Sequence, residues 1–172
     1  MKLYLIPVLY SFGLLLRVNP EISFPVNERT AYFTCDDTPD LNKKIIDFIK
    51  SNMNKKVGRG ECWDLAAGAL NANGASWDKN FRFGKEVDLK KDCLYPGDII
   101  QFENVELEYS LGNRNYREKM AQHTAIIYEI KGEGDYLLAD QNTNIHGKRV
   151  GLSPLNLKDI KKGKYIIYQP VK

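Results

Sequence analysis

The residues Gly58-Arg59-Gly60-Glu61-Cys62-Trp63-Asp64-Leu65-Ala66-Ala67 form a glycine-rich turn that leads into an apolar, alanine-rich segment. This pattern predicts a helix that begins at Cys62. The partial positive charge at a helix N-terminus stabilises a thiolate relative to a thiol. Cys62 is therefore a candidate nucleophile, and an unreactive structural thiol is the alternative interpretation.

Helices are predicted on both sides of this turn. Apolar residues recur at three- and four-residue spacing over Leu41–Asn54, with Asp40 as the N-cap, and predict an amphipathic helix. The helix that starts at Cys62 is predicted to extend to Asn73, because Gly74 is a typical stop signal. Its small residues allow close approach to a neighbouring sheet.

Short β-type runs follow in the second half of the chain, and the order of helices followed by strands predicts an α+β fold with helices packed on an antiparallel sheet. The connection Gly132–Asp135 is typical of a hairpin. The polar stretch Glu103–Gln122 is predicted to be a long surface loop, and Phe81 and Phe83 are candidates for a short extra strand. The predicted strands are Ile99–Phe102, Thr124–Ile130, Tyr136–Ala139, Arg149–Leu152 and Tyr165–Tyr168.

A thiol nucleophile needs a base, and the base needs a partner that orients its ring. His123 stands at the start of a predicted strand, whereas His146 lies in a turn and is interpreted as a surface residue. If the hairpin forms, the end of its second strand returns beside His123. Strand alternation then places Asp140 and Asn142 on one face there, and either can orient the imidazole.

Four segments together carry a resemblance to a known family. They are Gly60-Glu61-Cys62-Trp63, Pro96-Gly97-Asp98-Ile99-Ile100-Gln101-Phe102, Gln122-His123-Thr124-Ala125-Ile126-Ile127 and Asp140-Gln141-Asn142. In these segments the chain resembles the CHAP family (cysteine, histidine-dependent amidohydrolases/peptidases), which with its NlpC-like relatives belongs to the papain-like fold.

The resemblance implies a Cys-His site that hydrolyses amide bonds without a metal or cofactor. Cys62 would be the nucleophile and His123 the base, while Asp140 stands where the family commonly has Glu and Asn142 matches its Asn. Because many CHAP members cut bacterial cell-wall peptides, the expected partner is a peptide or peptidoglycan substrate. Trp63 and Tyr95 are further candidates for substrate binding.

The composition and the N-terminal residues limit the class of protein and its location in the cell. The 172 residues are 43% apolar and 27% charged with a net charge of +3, which is typical of a soluble globular domain and gives little support for nucleic-acid binding. Residues 1–17 resemble a signal peptide or membrane anchor, which predicts an exported protein. Residues 18–39 are interpreted as an extended entry segment and residues 40–172 as a CHAP-like domain with the papain-like fold.

The three cysteines have no CxxC spacing, which argues against a structural zinc site. In an oxidising compartment Cys35 and Cys93 are able to pair and leave Cys62 free. Two rival functions stay open: a non-catalytic binding module in which Trp63, Tyr95 and the polar stretch Glu103–Gln122 hold a ligand, and an intracellular thiol acyl transferase or protease whose apolar N-terminus is a buried element.

Overall fold

The structure, a computed structural model, describes residues 37–172. The predicted leader 1–17, nearly all of the segment 18–39, and Cys35 therefore lie outside the described residues. The elements are α1 (Asp40–Asn52), α2 (Cys62–Ala72), β1 (Lys85–Glu86), β2 (Ile99–Leu111), β3 (Arg114–Gly132), β4 (Asp135–Asp140), β5 (Gly151–Asn156) and β6 (Ile160–Gln169).

Both helices lie where their sequence periodicity predicts them, within one or two residues. Helix α1 begins at Asp40 with Pro39 as its N-cap, so Asp40 lies in the first turn instead of capping the helix. Helix α2 begins at Cys62 and ends at Ala72, and Gly74 follows with a φ of 66°. Within residues 37–172 no helix is long and apolar enough to cross a membrane.

The six strands form one antiparallel sheet with the order β1-β6-β2-β3-β4-β5. Neighbouring residues along a strand belong to different hydrophobic clusters: Ile99 and Ile126 pack with the helices, whereas Ile100 and Ile127 pack in a second cluster. This alternation shows that both faces of the sheet are covered. The α+β class predicted from the element order is confirmed.

The prediction of a surface loop over Glu103–Gln122 is wrong, because β2 and β3 continue through this stretch as a hairpin arm. The arm keeps one register from Ile99↔Ile126 to Leu111↔Arg114. Tyr109 stacks on Tyr116 with ring centroids 5.3 Å apart, and Arg117 donates to Glu106 at 2.7 Å. Cross-strand aromatic and charge pairs stabilise a strand pair even where it is polar and exposed.

The region of the predicted extra strand also differs. Strand β1 covers Lys85–Glu86, just after Phe81 and Phe83. Phe83 is fully buried and stacks with Trp77 at 5.7 Å between ring centroids. Its contribution is therefore to the core beneath the helices and not to a strand.

Candidate active site

The turn before α2 holds Cys62 at the first residue of the helix. Gly58 has a φ of 58°, a conformation that favours glycine, and a Cβ at this position would lie only 2.9 Å from Cβ of Asp64. Glu61 is the N-cap, and Asp64 at the third helical position accepts from its backbone N–H at 3.3 Å. The reciprocal contacts form a capping box, which fixes the direction of the chain at Cys62.

Asp64 is an acid only two residues after the thiol, but its charge is compensated within the turn. Its carboxylate accepts from the Arg59 backbone N–H at 2.8 Å and from the Arg59 guanidinium at 3.0 Å. Burial by itself raises the pKa of Asp64, but the hydrogen bonds from Arg59 and Glu61 and the charge of Arg59 lower it below its usual value. Asp64 therefore stabilises the turn as a paired anion.

Gln141 ties this turn to the sheet. It is fully buried, and its side-chain amide donates to the carbonyls of Val57 at 3.0 Å and Glu61 at 2.7 Å. Its side-chain oxygen accepts from the Val57 backbone N–H at 3.2 Å. Three hydrogen bonds from one side chain thus hold the Cys62 turn against the end of β4. The sequence interpretation assigned Gln141 no role of its own and missed this one.

His123 lies on β3, directly opposite Phe102 of β2, and its ring stacks on Phe102 with centroids 6.2 Å apart. Its Nε2 lies 3.4 Å from Oδ2 of Asp140. Since Asp140 occupies Nε2, Nδ1 is the ring nitrogen left for the hydrogen bond between His123 and Cys62. A thiol, an imidazole and a carboxylate are therefore in sequential contact.

Asp140 ends β4 and is 3% exposed. Its second oxygen, Oδ1, accepts from the hydroxyl of Ser153 at 3.0 Å, so both carboxylate oxygens have a partner. Ser153 lies on the neighbouring strand β5, where it pairs with Leu138. This hydroxyl fixes the carboxylate plane, and the sequence interpretation had not assigned Ser153 any role.

The contacts favour charge separation between Cys62 and His123. Burial by itself raises the pKa of the Cys62 thiol, but the hydrogen bond and charge of His123 and the backbone N–H groups of Thr124 and Trp63 lower it below its ordinary value. Burial by itself lowers the pKa of His123, but hydrogen bonds and charges from Asp140 and Cys62 raise it to about 9. A thiolate beside an imidazolium is the protonation state that these contacts stabilise.

Asn142, the second residue proposed to orient His123, has a different contact. Its φ is 62°, so the alternation that would place it on the face of Asp140 ends there. The Asn142 amide donates to Oε2 of Glu61 at 2.7 Å, and Lys148 binds the other oxygen of Glu61 at 2.8 Å. The structure thus brings Asp140, and not Asn142, to the imidazole.

The other residues singled out from the sequence lie away from Cys62. Trp63 donates its indole N–H to the Asn80 carbonyl and packs against Trp77 at 5.5 Å, and it does not line the cavity at Cys62. Tyr95 lines a different cavity, beside Tyr128 and Tyr136. His146 is half-buried and hydrogen-bonded to the Leu152 carbonyl at 3.0 Å, so it is less exposed than a surface residue.

A cavity of about 320 Å³ opens beside Cys62 and His123. One wall consists of β3 residues that precede His123, and another consists of the loop that follows Asp140. Ile145 in this loop is an exposed hydrophobic residue. Polar and apolar groups both line the cavity, as is usual where a small ligand or a chain segment binds.

Cys62 is the free thiol among the described residues, and Cys93 is disulfide-bonded. Cys35, the pairing partner considered for Cys93, lies outside them. Across residues 37–172 no three His, Cys, Asp or Glu side chains are grouped so as to hold a metal ion.

A family model described as the AIM3/BBC1 cysteine proteinase-fold domain matches residues 40–172. The chain belongs to this family. Membership in the AIM3/BBC1 family gives the chain a papain-like cysteine proteinase fold, as the sequence resemblance implied. The finer assignment to the CHAP family is not what this match shows.

Two solved structures are similar to this AIM3/BBC1 family member at low identity. The crystal structure of Ly7917 is 13% identical with a TM-score of 0.44 and covers 74% of this chain. The crystal structure of Ly7917 with the hydrolyzing product of MDP is 14% identical with a TM-score of 0.45 and covers 75%. The chain spans 62% of the length of each. No curated protein is significantly similar in sequence.

Proposed function

We propose that this chain is a cysteine hydrolase that cleaves amide bonds, with Cys62 as nucleophile, His123 as proton donor and acceptor, and Asp140 as the residue that orients His123. One observation carries the proposal: Cys62, His123 and Asp140 line one cavity, with His123 Nε2 3.4 Å from Asp140 Oδ2 and with the His123 ring lowering the pKa of the Cys62 thiol. The cysteine proteinase fold of the family supports it.

In the first half of the reaction the Cys62 thiolate attacks the carbonyl carbon of the substrate, and a carbon–sulfur bond forms. The negative charge moves to the carbonyl oxygen, where the backbone N–H of Cys62 at the start of α2 is the available donor. When the tetrahedral intermediate collapses, the carbon–nitrogen bond breaks and the His123 imidazolium gives its proton to the leaving amine. The products of this half are a free amine and a thioester on Cys62.

In the second half, neutral His123 takes a proton from water as the water oxygen attacks the thioester. The carbon–sulfur bond breaks, a carboxylic acid leaves, and the thiolate–imidazolium pair is restored. Asp140 keeps the ring in the orientation that both transfers require, and Ser153 keeps Asp140 in place.

The narrower version of the proposal takes peptidoglycan stem or bridge peptides as substrates of an exported enzyme. It rests on the CHAP resemblance and on the apolar N-terminal residues, which lie outside the described part of the chain. Trp63 and Tyr95 do not line the cavity at Cys62, whereas residues 118–122 of the polar stretch do.

The deciding experiment compares wild type with Cys62→Ala on two sets of substrates, an internally quenched peptide library and isolated cell-wall stem peptides. Wild type is expected to cleave members of at least one set, and Cys62→Ala to cleave none while unfolding at the same temperature. A Cys62→Ala protein that cleaves as fast as wild type contradicts the proposal. Cleavage confined to the peptide library contradicts only the cell-wall version.

A further inference from the structure

Strand β3 has an unpaired edge that leads to Cys62. Strand β4 pairs with β3 from Ile126 to Gly132 and ends at Asp140, after which the chain turns away. The part of β3 before Ile126, beginning at Arg114, pairs with β2 on one side only. No backbone–backbone hydrogen bond to its other side is present among residues 37–172.

The direction of the backbone groups on this edge follows from the register. Ile127 donates to the Asp98 carbonyl at 2.8 Å and accepts from Gly97 at 2.7 Å, so its backbone groups face the β2 side. Because these directions alternate along a strand, the N–H and C=O of Thr124, Gln122 and Met120 face the open edge. The backbone N–H of Thr124 also helps to lower the pKa of the Cys62 thiol, which agrees with this direction.

The edge is open to solvent where it approaches the site. Exposed edges are often protected by charged side chains, and Arg117, Glu118 and Lys119 have that character farther along the arm. The three residues next to His123 are instead Met120, Ala121 and Gln122, which carry no charge. They line the cavity at Cys62, as does the loop that contains Ile145.

We infer that the substrate binds as an extended polypeptide segment that adds a strand to this edge and pairs with the backbone of Gln122 and Met120. The inference rests on the proposed function and names its substrate as an extended peptide. A strand in this position leads along the edge to Thr124, whose backbone N–H helps to lower the pKa of the Cys62 thiol. The added strand therefore brings a peptide carbonyl to Cys62. Its affinity comes from main-chain hydrogen bonds and depends little on the side chains of the peptide.

The test uses covalent adducts of Cys62 with and without a peptide. A panel of tetrapeptidyl chloromethyl ketones is screened, and the fastest member is attached to Cys62: the thiolate displaces chloride, so a carbon–sulfur bond forms and a carbon–chlorine bond breaks. Iodoacetamide gives the matched adduct without a peptide chain. Amide hydrogen exchange is then measured residue by residue by NMR in both adducts.

The expected result is that the amides of Met120 and Gln122 exchange at least about tenfold more slowly in the peptidyl adduct, because each gains a hydrogen bond. The Ala121 amide, which already faces β2, should not change. Equal exchange of Met120 and Gln122 in the two adducts overturns the inference and leaves the proposed function standing.

A pair of variants tests the same edge without NMR. Met120→Pro removes an edge N–H and is compared with Met120→Ala, which loses the same side chain but keeps that N–H. The proline variant should react with the peptidyl reagent about tenfold more slowly than the alanine variant. Both should react with iodoacetamide at similar rates, which reports on the Cys62–His123 pair.

Equal peptidyl rates for the two variants overturn the inference. So does a Cys62 that reacts with iodoacetamide but with no member of the panel. If Cys62 reacts with neither reagent, the proposed function is contradicted, and this inference with it.

Discussion

His123 Nε2 lies 3.4 Å from Asp140 Oδ2, and the two side chains are only 10% and 4% exposed. A carboxylate held this close to a buried imidazole stabilises the charged ring. The same ring hydrogen-bonds to Cys62, so the carboxylate influences the thiol through the imidazole. This relationship is the basis of the predictions on reactivity.

Asp140→Asn should make the imidazolium form of His123 less stable, while the side chain at position 140 keeps nearly the same shape. The basic limb of the kcat/KM profile should move from about pH 9 to lower pH, because the hydrogen bond and charge of Asp140 that help raise the His123 pKa are lost. A hydrogen bond to a charged group contributes about 1.5–3 kcal/mol, so kcat/KM should fall roughly 10- to 100-fold at neutral pH. Steady-state kinetics over a range of pH measures both effects.

Asn142→Ala is the matched control for this variant, since the sequence offered Asn142 as the alternative partner of His123. Its amide contacts Glu61, so the basic limb should stay where it is in wild type. A profile in which Asn142→Ala moves the basic limb and Asp140→Asn does not would assign the orienting role to Asn142.

Gln141→Leu should loosen the turn that carries Cys62. The substitution removes three part-buried hydrogen bonds and leaves the Val57 backbone N–H without its partner, which costs about 1–3 kcal/mol. Urea denaturation should show a lower free energy of unfolding by at least that amount. The exposed Gln122→Leu serves as a control and should change stability by less than about 0.5 kcal/mol. Equal stability of the two variants would show that Gln141 does not hold the turn.

Asp98 should make the protein less stable as the pH rises through the weakly acidic range. Burial raises the pKa of Asp98 to about 7, against hydrogen bonds from the Tyr95 backbone and the Asn42 amide. The folded state therefore keeps a proton that the unfolded state has already lost above about pH 4. Asp98 therefore makes its full contribution to the free energy of unfolding below pH 4, and this contribution is lost progressively up to about pH 7.

Asp98→Asn cannot titrate, so the difference between its unfolding free energy and that of wild type isolates this contribution. The difference should change by a few kcal/mol between pH 4 and pH 7 and remain constant above that range. Denaturation curves at a series of pH values supply the comparison. A difference that is independent of pH would mean that Asp98 is ionised throughout.

Local patterns predicted much of this molecule. The glycine turn and the small-residue run placed α2 correctly because capping and periodicity depend on neighbours in sequence. The turn Gly132–Asp135 predicted that the end of β4 returns to the start of the β3 core, which brought Asp140 to His123. Two elements joined by a short turn have a register that the sequence largely determines.

Features that depend on distant or irregular contacts were not predictable in the same way. The partners of Gln141 lie 84 and 80 residues away, so no local pattern indicates them. The positive φ of Asn142 belongs to a small loop closed by its hydrogen bond to the Gly147 carbonyl at 2.6 Å, and this ends the alternation assumed for the strand. The hairpin arm was missed because its charges resemble those of a loop, although Val105, Leu107 and Tyr109 alternate as in a strand.

The pH dependence of Cys62 alkylation by iodoacetamide, compared between wild type and His123→Ala, tests the central claim most directly. In wild type the midpoint should lie below the ordinary thiol value of about 8.5. In His123→Ala it should lie above that value, because burial of Cys62 remains while the imidazolium is gone. Two identical midpoints near the ordinary value would contradict a Cys62–His123 pair and the hydrolase built on it.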